Sequence, residues 1–260
     1  MGPPACCVAT RCVGTAMTFT VVTWNIRGSA RPDLSLLADA INSYAPDVVL
    51  LQEVWREQAW RLANLLDMGP PFWSLKHRPF GPLSRRRAEG MAIVSRATLA
   101  EETSYVLTPS ARPWTHRRRI VQHARIASLG VDVTNVHLAS HAESSARVDQ
   151  ARMICAQIAK GVSANAFIGG DFNAHNEPAL WSVFEERGFV DAGSSEGAAT
   201  NPAGAATQRL DRVLVGRGLR VASLVVPDDG PSWSRLSDHL PVVVQVDIGE
   251  RTASQIGTDA

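Results

Sequence analysis

The stretch Leu236-Ser237-Asp238-His239-Leu240-Pro241-Val242-Val243-Val244 sets an acid and an imidazole side by side at the mouth of an apolar run. The three valines read as a buried strand. Polar groups there cost free energy unless each finds a partner. A chemical use satisfies both, because a His can act as general base while an Asp holds a cation. Four other segments repeat the design of an apolar strand ending in a carboxylate, amide or imidazole. They are Val21-Val22-Thr23-Trp24-Asn25, Val48-Val49-Leu50-Leu51-Gln52-Glu53, Val133-Thr134-Asn135-Val136-His137 and Ala166-Phe167-Ile168-Gly169-Gly170-Asp171-Phe172-Asn173. Asp211 likewise opens the strand pattern Arg212-Val213-Leu214-Val215. Each polar residue taken alone reads equally well as a turn or a strand cap. Together they point to one site, because ligand sites of layered α/β proteins lie where strand ends gather.

Outward from these strands the pattern alternates. Asp33 is placed to N-cap a helix through Leu34, Leu37, Ala38 and Ile41 that stops before Pro46. Helical spacing recurs over 57–66, 143–160 and 178–187, and strands are expected at 91–94, 105–107, 120–126 and 131–138. Residues 70–90, rich in Pro, Gly and Arg, read as a loop. The Gly, Ala, Ser and Thr of 192–208 read as a flexible surface loop without chemistry. Strands come in adjacent groups as well as alternating with helices. That predicts mixed sheets flanked by helices rather than one doubly wound parallel sheet. There is no repeat at a fixed period.

The chain has 260 residues, 45% of them hydrophobic and 20% charged, with a net charge of +1. That suffices for one large domain, and any nucleic-acid affinity must come from local patches. Three of the four cysteines, Cys6, Cys7 and Cys12, crowd the N-terminus and only Cys155 lies in the body. No disulfide framework follows, and the spacing matches no familiar zinc pattern. No apolar run is long enough for a membrane span, and residues 1–16 make a poor secretory signal. The reading is therefore a cytoplasmic protein, with 1–16 a disordered leader or a misassigned start before Met17, a catalytic domain over 17–248 and a frayed tail over 249–260.

Seven blocks in order carry a resemblance to a known family: Thr23-Trp24-Asn25-Ile26-Arg27-Gly28, Leu51-Gln52-Glu53-Val54, Glu89-Gly90-Met91-Ala92-Ile93, Asn135-Val136-His137-Leu138, Gly170-Asp171-Phe172-Asn173, Leu210-Asp211-Arg212-Val213 and Ser237-Asp238-His239. Together they resemble the endonuclease/exonuclease/phosphatase superfamily. The resemblance implies a four-layer α/β-β/α sandwich of two mixed, mainly antiparallel sheets flanked by helices, like deoxyribonuclease I. It implies a hydrolase of phosphodiesters dependent on Mg²⁺, or Mn²⁺. Glu53 matches the main metal ligand, with Asn25 and Asp238 beside it. His239 matches the general base and Asp211 the carboxylate that orients it. Asp171 and Asn173 match the residues that handle the attacking water and the phosphate oxygens. His137 matches the second histidine of the deoxyribonuclease I-like branch, with Glu89 as its carboxylate partner. The chain departs from the apurinic-site endonucleases at Arg27, where they carry an Asp, and at His137, where their block carries a tyrosine.

Basic triplets at Arg85-Arg86-Arg87 and Arg117-Arg118-Arg119 suit a phosphate backbone, with Arg119 the candidate phosphate contact; they read equally well as solvated surface runs. Trp73, Trp114 and Trp233 fall in loops near them, whereas Trp24, Trp55, Trp60 and Trp181 read as core or helix-face residues. The leading expectation is a monomeric nuclease acting on DNA or RNA. An inositol polyphosphate or phosphoinositide phosphatase is the alternative, and a sphingomyelinase-like phospholipase the third reading.

Overall fold

The computed structural model describes residues 17–78, 88–115, 118–140, 144–158, 165–193 and 197–248. The leader at 1–16, the tail at 249–260, Arg85–Arg87 and Arg117 lie outside them. The described residues form twelve strands: β1 (Met17–Asn25), β2 (Val48–Trp55), β3 (Phe72–His77), β4 (Glu89–Ser95), β5 (Leu99–Val106), β6 (Ile120–Ile126), β7 (Val131–His137), β8 (Asn165–Asp171), β9 (Phe189–Asp191), β10 (Asp211–Gly216), β11 (Arg220–Val225) and β12 (Val242–Ile248). Four α-helices among the described residues join them: α1 (Leu34–Asn42), α2 (Arg56–Leu65), α3 (Ser144–Ile158) and α4 (Pro178–Glu185). Asp33 caps α1 as expected, its Oδ1 accepting from the N–H of Ser35 at 2.8 Å.

The strands form two six-stranded sheets in the orders β11-β12-β1-β2-β4-β3 and β5-β6-β7-β8-β10-β9. Each has one parallel pair at its centre, β1 with β2 and β7 with β8, and antiparallel pairs elsewhere. The succession of pairings is the same in both sheets: antiparallel, antiparallel, parallel, antiparallel, antiparallel. The fold thus repeats itself in topology although no repeat shows in the sequence. Three buried apolar layers hold it together. Phe19, Val21, Leu50, Val133, Phe167 and Val244 fill the space between the sheets, where the rings of Phe19 and Phe167 stack 5.7 Å apart. Val22, Trp24, Leu37 and Leu62 join the first sheet to α1 and α2. Ile154, Ile168 and Phe184 join the second sheet to α3 and α4. This is the four-layer sandwich expected from the resemblance.

Alternation along a strand sends every second residue to one face, and on the inward face it ends in polar side chains. Phe19, Val21 and Thr23 lead to Asn25; Val133 and Asn135 lead to His137; Phe167 and Gly169 lead to Asp171; Val215 and Val213 lead back to Asp211. Gly169 lets the sheets approach closely, since a Cβ there would come within 2.7 Å of Leu50 Cδ1. Below the polar ends a buried amide network ties sheet to sheet. Gln52 Nε2 donates to Asn135 Oδ1 at 2.8 Å and to Thr23 Oγ1 at 3.0 Å. Asn135 Nδ2 donates to the carbonyls of Leu51 and Ala92 and to Gln122 Oε1. Such a network fixes register as well as adding stability, although the buried Gln52 Oε1 has no partner among the described residues.

Three expectations are corrected. The stretch 70–90 contains a strand, β3, paired with β4; its inward residues Ser74 and Lys76 are buried but polar, which hides the alternation. Trp73, expected in a loop, lies in that strand, with its Nε1 donating to the carbonyl of Val54. The described part of 192–208 is not a free loop: Thr200 is fully buried, its Oγ1 accepts from the N–H groups of Leu210 and Asp211, and Asn201 Nδ2 donates to the carbonyl of Asp238.

Candidate active site

The strand topology gathers the chemistry at one edge. The parallel pairs bring the C-terminal ends of β1, β2, β7 and β8 together, and the antiparallel neighbours β4 and β10 contribute their first residues, Glu89 and Asp211. Asp171 lies in register with both His137 and Asp211. Gly170, at φ +151°, leaves room for the sheet to pack there, since an added Cβ would come within 2.0 Å of the carbonyl oxygen of Val136.

His239 Nδ1 lies 2.8 Å from Asp211 Oδ2, and its Nε2 lies 4.0 Å from Asp171 Oδ2. The turn that carries it is fastened to β1 at two points. Trp24 Nε1 donates to the carbonyl of His239 at 2.8 Å, and Ser237 Oγ donates to the carbonyl of Asn25 at 2.6 Å. Burial opposes a charge on His239, but Asp211, Asp171 and Asp238 overcome it and push its pKa up to about 10. The bond to Asp211 places a proton on Nδ1 and points Nε2 at Asp171.

Asp171 is 1% exposed. Asn25 Nδ2 donates to its Oδ2 at 3.1 Å, and its Oδ1 accepts the backbone N–H of Asn173 at 2.9 Å. That bond holds Asn173 at φ 51°, while Asn173 Nδ2 donates to the carbonyl of Leu138. Burial, ahead of every other cause, raises the Asp171 carboxyl pKa. Glu53 sits at φ 52° in a bulge where the register of β2 against β4 shifts between Leu51 and Val54. The bulge turns Glu53 out of the ladder and towards His137, whose Nε2 lies 4.0 Å from Glu53 Oε1. A left-handed glutamate is strained by about 1–3 kcal/mol and persists only where its surroundings fix it. Burial raises the Glu53 pKa, and the charges of Glu89, Asp171 and Asp238 raise it further against Lys76.

His137 stands between both groups, its Nε2 3.6 Å from Asp171 Oδ2. Its other nitrogen, Nδ1, faces the ammonium of Lys76 at 3.5 Å. Glu89, expected beside His137, binds Lys76 instead at 2.7 Å and has His77 Nδ1 at 3.6 Å. Lys76 was missed because its strand was missed. Asp238 lies on the other side of the site in an ion pair with Arg27 at 3.2 Å, where Arg27 is half exposed. Arg119 is buried, with its Nε donating to the carbonyl of Leu138, the same oxygen that Asn173 uses. It therefore braces the end of β7 at the base of the site. Ser237, Thr200 and the Gln52–Asn135 pair are further supports that no sequence signal assigned.

Among the described residues, Asp171, Asp211 and His239 offer ligand atoms within 4.8 Å of one another. The short Asp211–His239 bond already commits one atom of each to the other, so this trio suits proton handling better than chelation. Glu53, Asp238 and the amide oxygen of Asn25 are hard oxygen donors of the kind Mg²⁺ or Mn²⁺ takes. The mutual repulsion that raises the Glu53 pKa is what a cation would relieve, so these residues fit a divalent metal. No helix is long and apolar enough to cross a membrane among the described residues.

Comparison with known proteins agrees with this geometry. Residues 22–239 match the Endonuclease/Exonuclease/phosphatase family. No curated protein matches the sequence. Among solved structures, an endonuclease/exonuclease/phosphatase from Bacteroides vulgatus superposes with a TM-score of 0.74 at 18% identity, covering 90% of this chain and 100% of that one. The mannosyl-6-phosphatase Bt3783 of Bacteroides thetaiotaomicron gives 0.68 at 20% identity, over 88% and 99% of the two chains. TDP2 of D. rerio complexed with a single strand DNA product gives 0.66 at 17%, also over 88% and 99%. At these identities the structures share the fold.

Proposed function

The chain belongs to the endonuclease/exonuclease/phosphatase family, and from that premise we propose that it is a divalent-metal-dependent phosphodiesterase that cleaves nucleic acid. The observation that carries the reading is the Asp211–His239 pair, bonded at 2.8 Å and aimed through Nε2 at a buried Asp171. Asn25, Glu53 and Asp238 would hold Mg²⁺ or Mn²⁺, which supplies charge neutralisation at the phosphate and offsets the carboxylates that keep His239 protonated. His239 then serves as the base that takes a proton from the attacking water, with Asp211 holding the ring in place. Asp171 and Asn173 orient that water and the phosphate oxygens, and His137 binds the phosphate.

A substrate longer than a simple phosphate ester is supported by the surface next to the site. A groove of about 620 Å³ is lined by Arg56, Glu57, Trp60, Trp73, Leu75 and Arg78 and reaches Ala88, which precedes Glu89 in the chain. Arginines grip backbone phosphates and indole faces stack bases. The relatives by fold span both substrate types, one named a mannosyl-6-phosphatase and one bound to single strand DNA product.

The deciding experiment is a Mg²⁺-dependent hydrolysis panel on purified protein. It offers supercoiled DNA, single-stranded RNA, an inositol polyphosphate, a hexose 6-phosphate and sphingomyelin, with Glu53→Gln as the control for contaminating nucleases. Nicking or degradation of nucleic acid that disappears in Glu53→Gln is expected. Release of phosphate from a monoester alone would overturn the nuclease reading.

A further inference from the structure

His137 and His239 both turn Nε2 towards Asp171, yet their Nδ1 atoms meet opposite partners. Behind His239 is a carboxylate, Asp211, at 2.8 Å. Behind His137 is an ammonium, Lys76, at 3.5 Å. An ammonium carries donors and no acceptor. An Nδ1 that faces it presents its lone pair, since two N–H groups would otherwise point at each other in a site with little water. On the far side of the ring the arrangement agrees: Nε2 faces carboxylate oxygens of Asp171 and Glu53 at 3.6 and 4.0 Å, where a proton is favourable.

Lys76 itself is held firmly for this task. It is 3% exposed, its ammonium is paired with Glu89 at 2.7 Å, and Arg118 donates to its carbonyl and to that of Leu75. Its charge is one of the causes, after burial, that hold His137 well below the usual imidazole range. A buried lysine next to a histidine has no packing advantage over an apolar residue, and Glu89 alone does not explain why the ammonium sits over the ring nitrogen.

We infer that Lys76 is a positioning residue which fixes His137 as the Nε2–H tautomer, so that His137 meets the substrate as a hydrogen-bond donor to a phosphate oxygen. The inference rests on the phosphoester hydrolase reading for its substrate, but the tautomer stands on geometry alone. It gives the two histidines separate duties. His239 carries its fixed proton on Nδ1 and exchanges protons at Nε2, whereas His137 keeps its proton on Nε2 and lends it to the phosphate. It also gives Glu89 an indirect duty, that of holding the cation that holds the ring.

The test is nitrogen-15 NMR of the imidazoles, with the His137 signals assigned by their loss in His137→Gln. In the wild type, Nδ1 should be unprotonated and Nε2 protonated. Lys76→Met should abolish that preference and lower turnover roughly tenfold or more with KM little changed, as loss of a group that orients a catalytic ligand does. Lys76→Arg should retain the tautomer and most of the turnover. Should Lys76→Met fold poorly, Lys76→Met/Glu89→Gln removes both charges of the buried pair and should lose the tautomer in the same way. A proton on Nδ1 of His137 in the wild type would overturn the inference, as would an unchanged tautomer in Lys76→Met or in Lys76→Met/Glu89→Gln. The NMR result is independent of turnover, so a wild type inactive on every phosphoester would sink the functional reading and leave the tautomer question decided.

Discussion

At the scale of single residues the site is set by which groups share a proton or a charge. The Asp211–His239 pair makes a signed prediction. The folded pKa of His239 is about 10, above the unfolded value of about 6.5. Its charge therefore contributes stability in full below about pH 6.5, and that contribution drains away as pH rises towards 10. In chelator-treated protein the denaturation midpoint should fall across this window, and Asp211→Asn/His239→Gln should flatten the slope. A slope that survives the double replacement would mean other groups carry it. Arg27 invites a second experiment. It pairs with Asp238 at 3.2 Å, so it competes with any cation bound by that carboxylate. Arg27→Ala is expected to lower the Mg²⁺ concentration needed for half-maximal activity, and a higher requirement would remove Asp238 from the metal site.

At the scale of elements, strand ends that change from apolar to polar were readable because alternation is a strict period and burial enforces it. Asn25, His137, Asp171 and Asp211 all sit on that inward face, so pattern and site coincide. What was not readable depends on contacts between distant segments. β3 looked like loop because its inward face is Ser74 and Lys76, buried through bonds to Gln122 and Glu89 that no local window contains. The bulge at Glu53 is a register shift against β4, and register is a property of two strands. Residues 197–208 have the composition of a flexible loop, yet Thr200 satisfies the N–H groups of Leu210 and Asp211 at the start of β10. Thr200→Val keeps the volume and removes the acceptor. It should destabilise the fold by about 1–3 kcal/mol in a denaturant melt, and it should cost activity because Asp211 loses its anchor. A neutral outcome would return the segment to the status of a passive loop.

At the scale of the whole molecule, function depends on what surrounds the gathered strand ends. The net charge of +1 gives no general attraction for polyanions, so affinity for nucleic acid has to come from patches such as the groove at Arg56, Trp60, Trp73 and Arg78. Arg56→Ala/Arg78→Ala should flatten the salt dependence of KM on single-stranded DNA by about one to two counterions while sparing a small chromogenic phosphodiester. Equal losses on both substrates would indicate damage to the fold. The two sheets share the polar groups of the site: β1, β2 and β4 bring Asn25, Glu53 and Glu89, while β7, β8 and β10 bring His137, Asp171 and Asp211, so neither sheet must carry all of them.

One consequence concerns the order in which a ribosome releases the chain. Among the described residues β1 is the first strand, and its antiparallel neighbour in the first sheet is β12, the last. The turn carrying Asp238 and His239 comes immediately before it. Until that strand emerges, β1 has one open edge and His239, the proposed base, is absent, so a chain terminated before it is expected to be inert. A chain stopped before Ser237 should show no turnover, and residual turnover would mean the last strand is dispensable. A phosphoester hydrolase of the proposed kind, built this way, has no working site until its last described strand is in place.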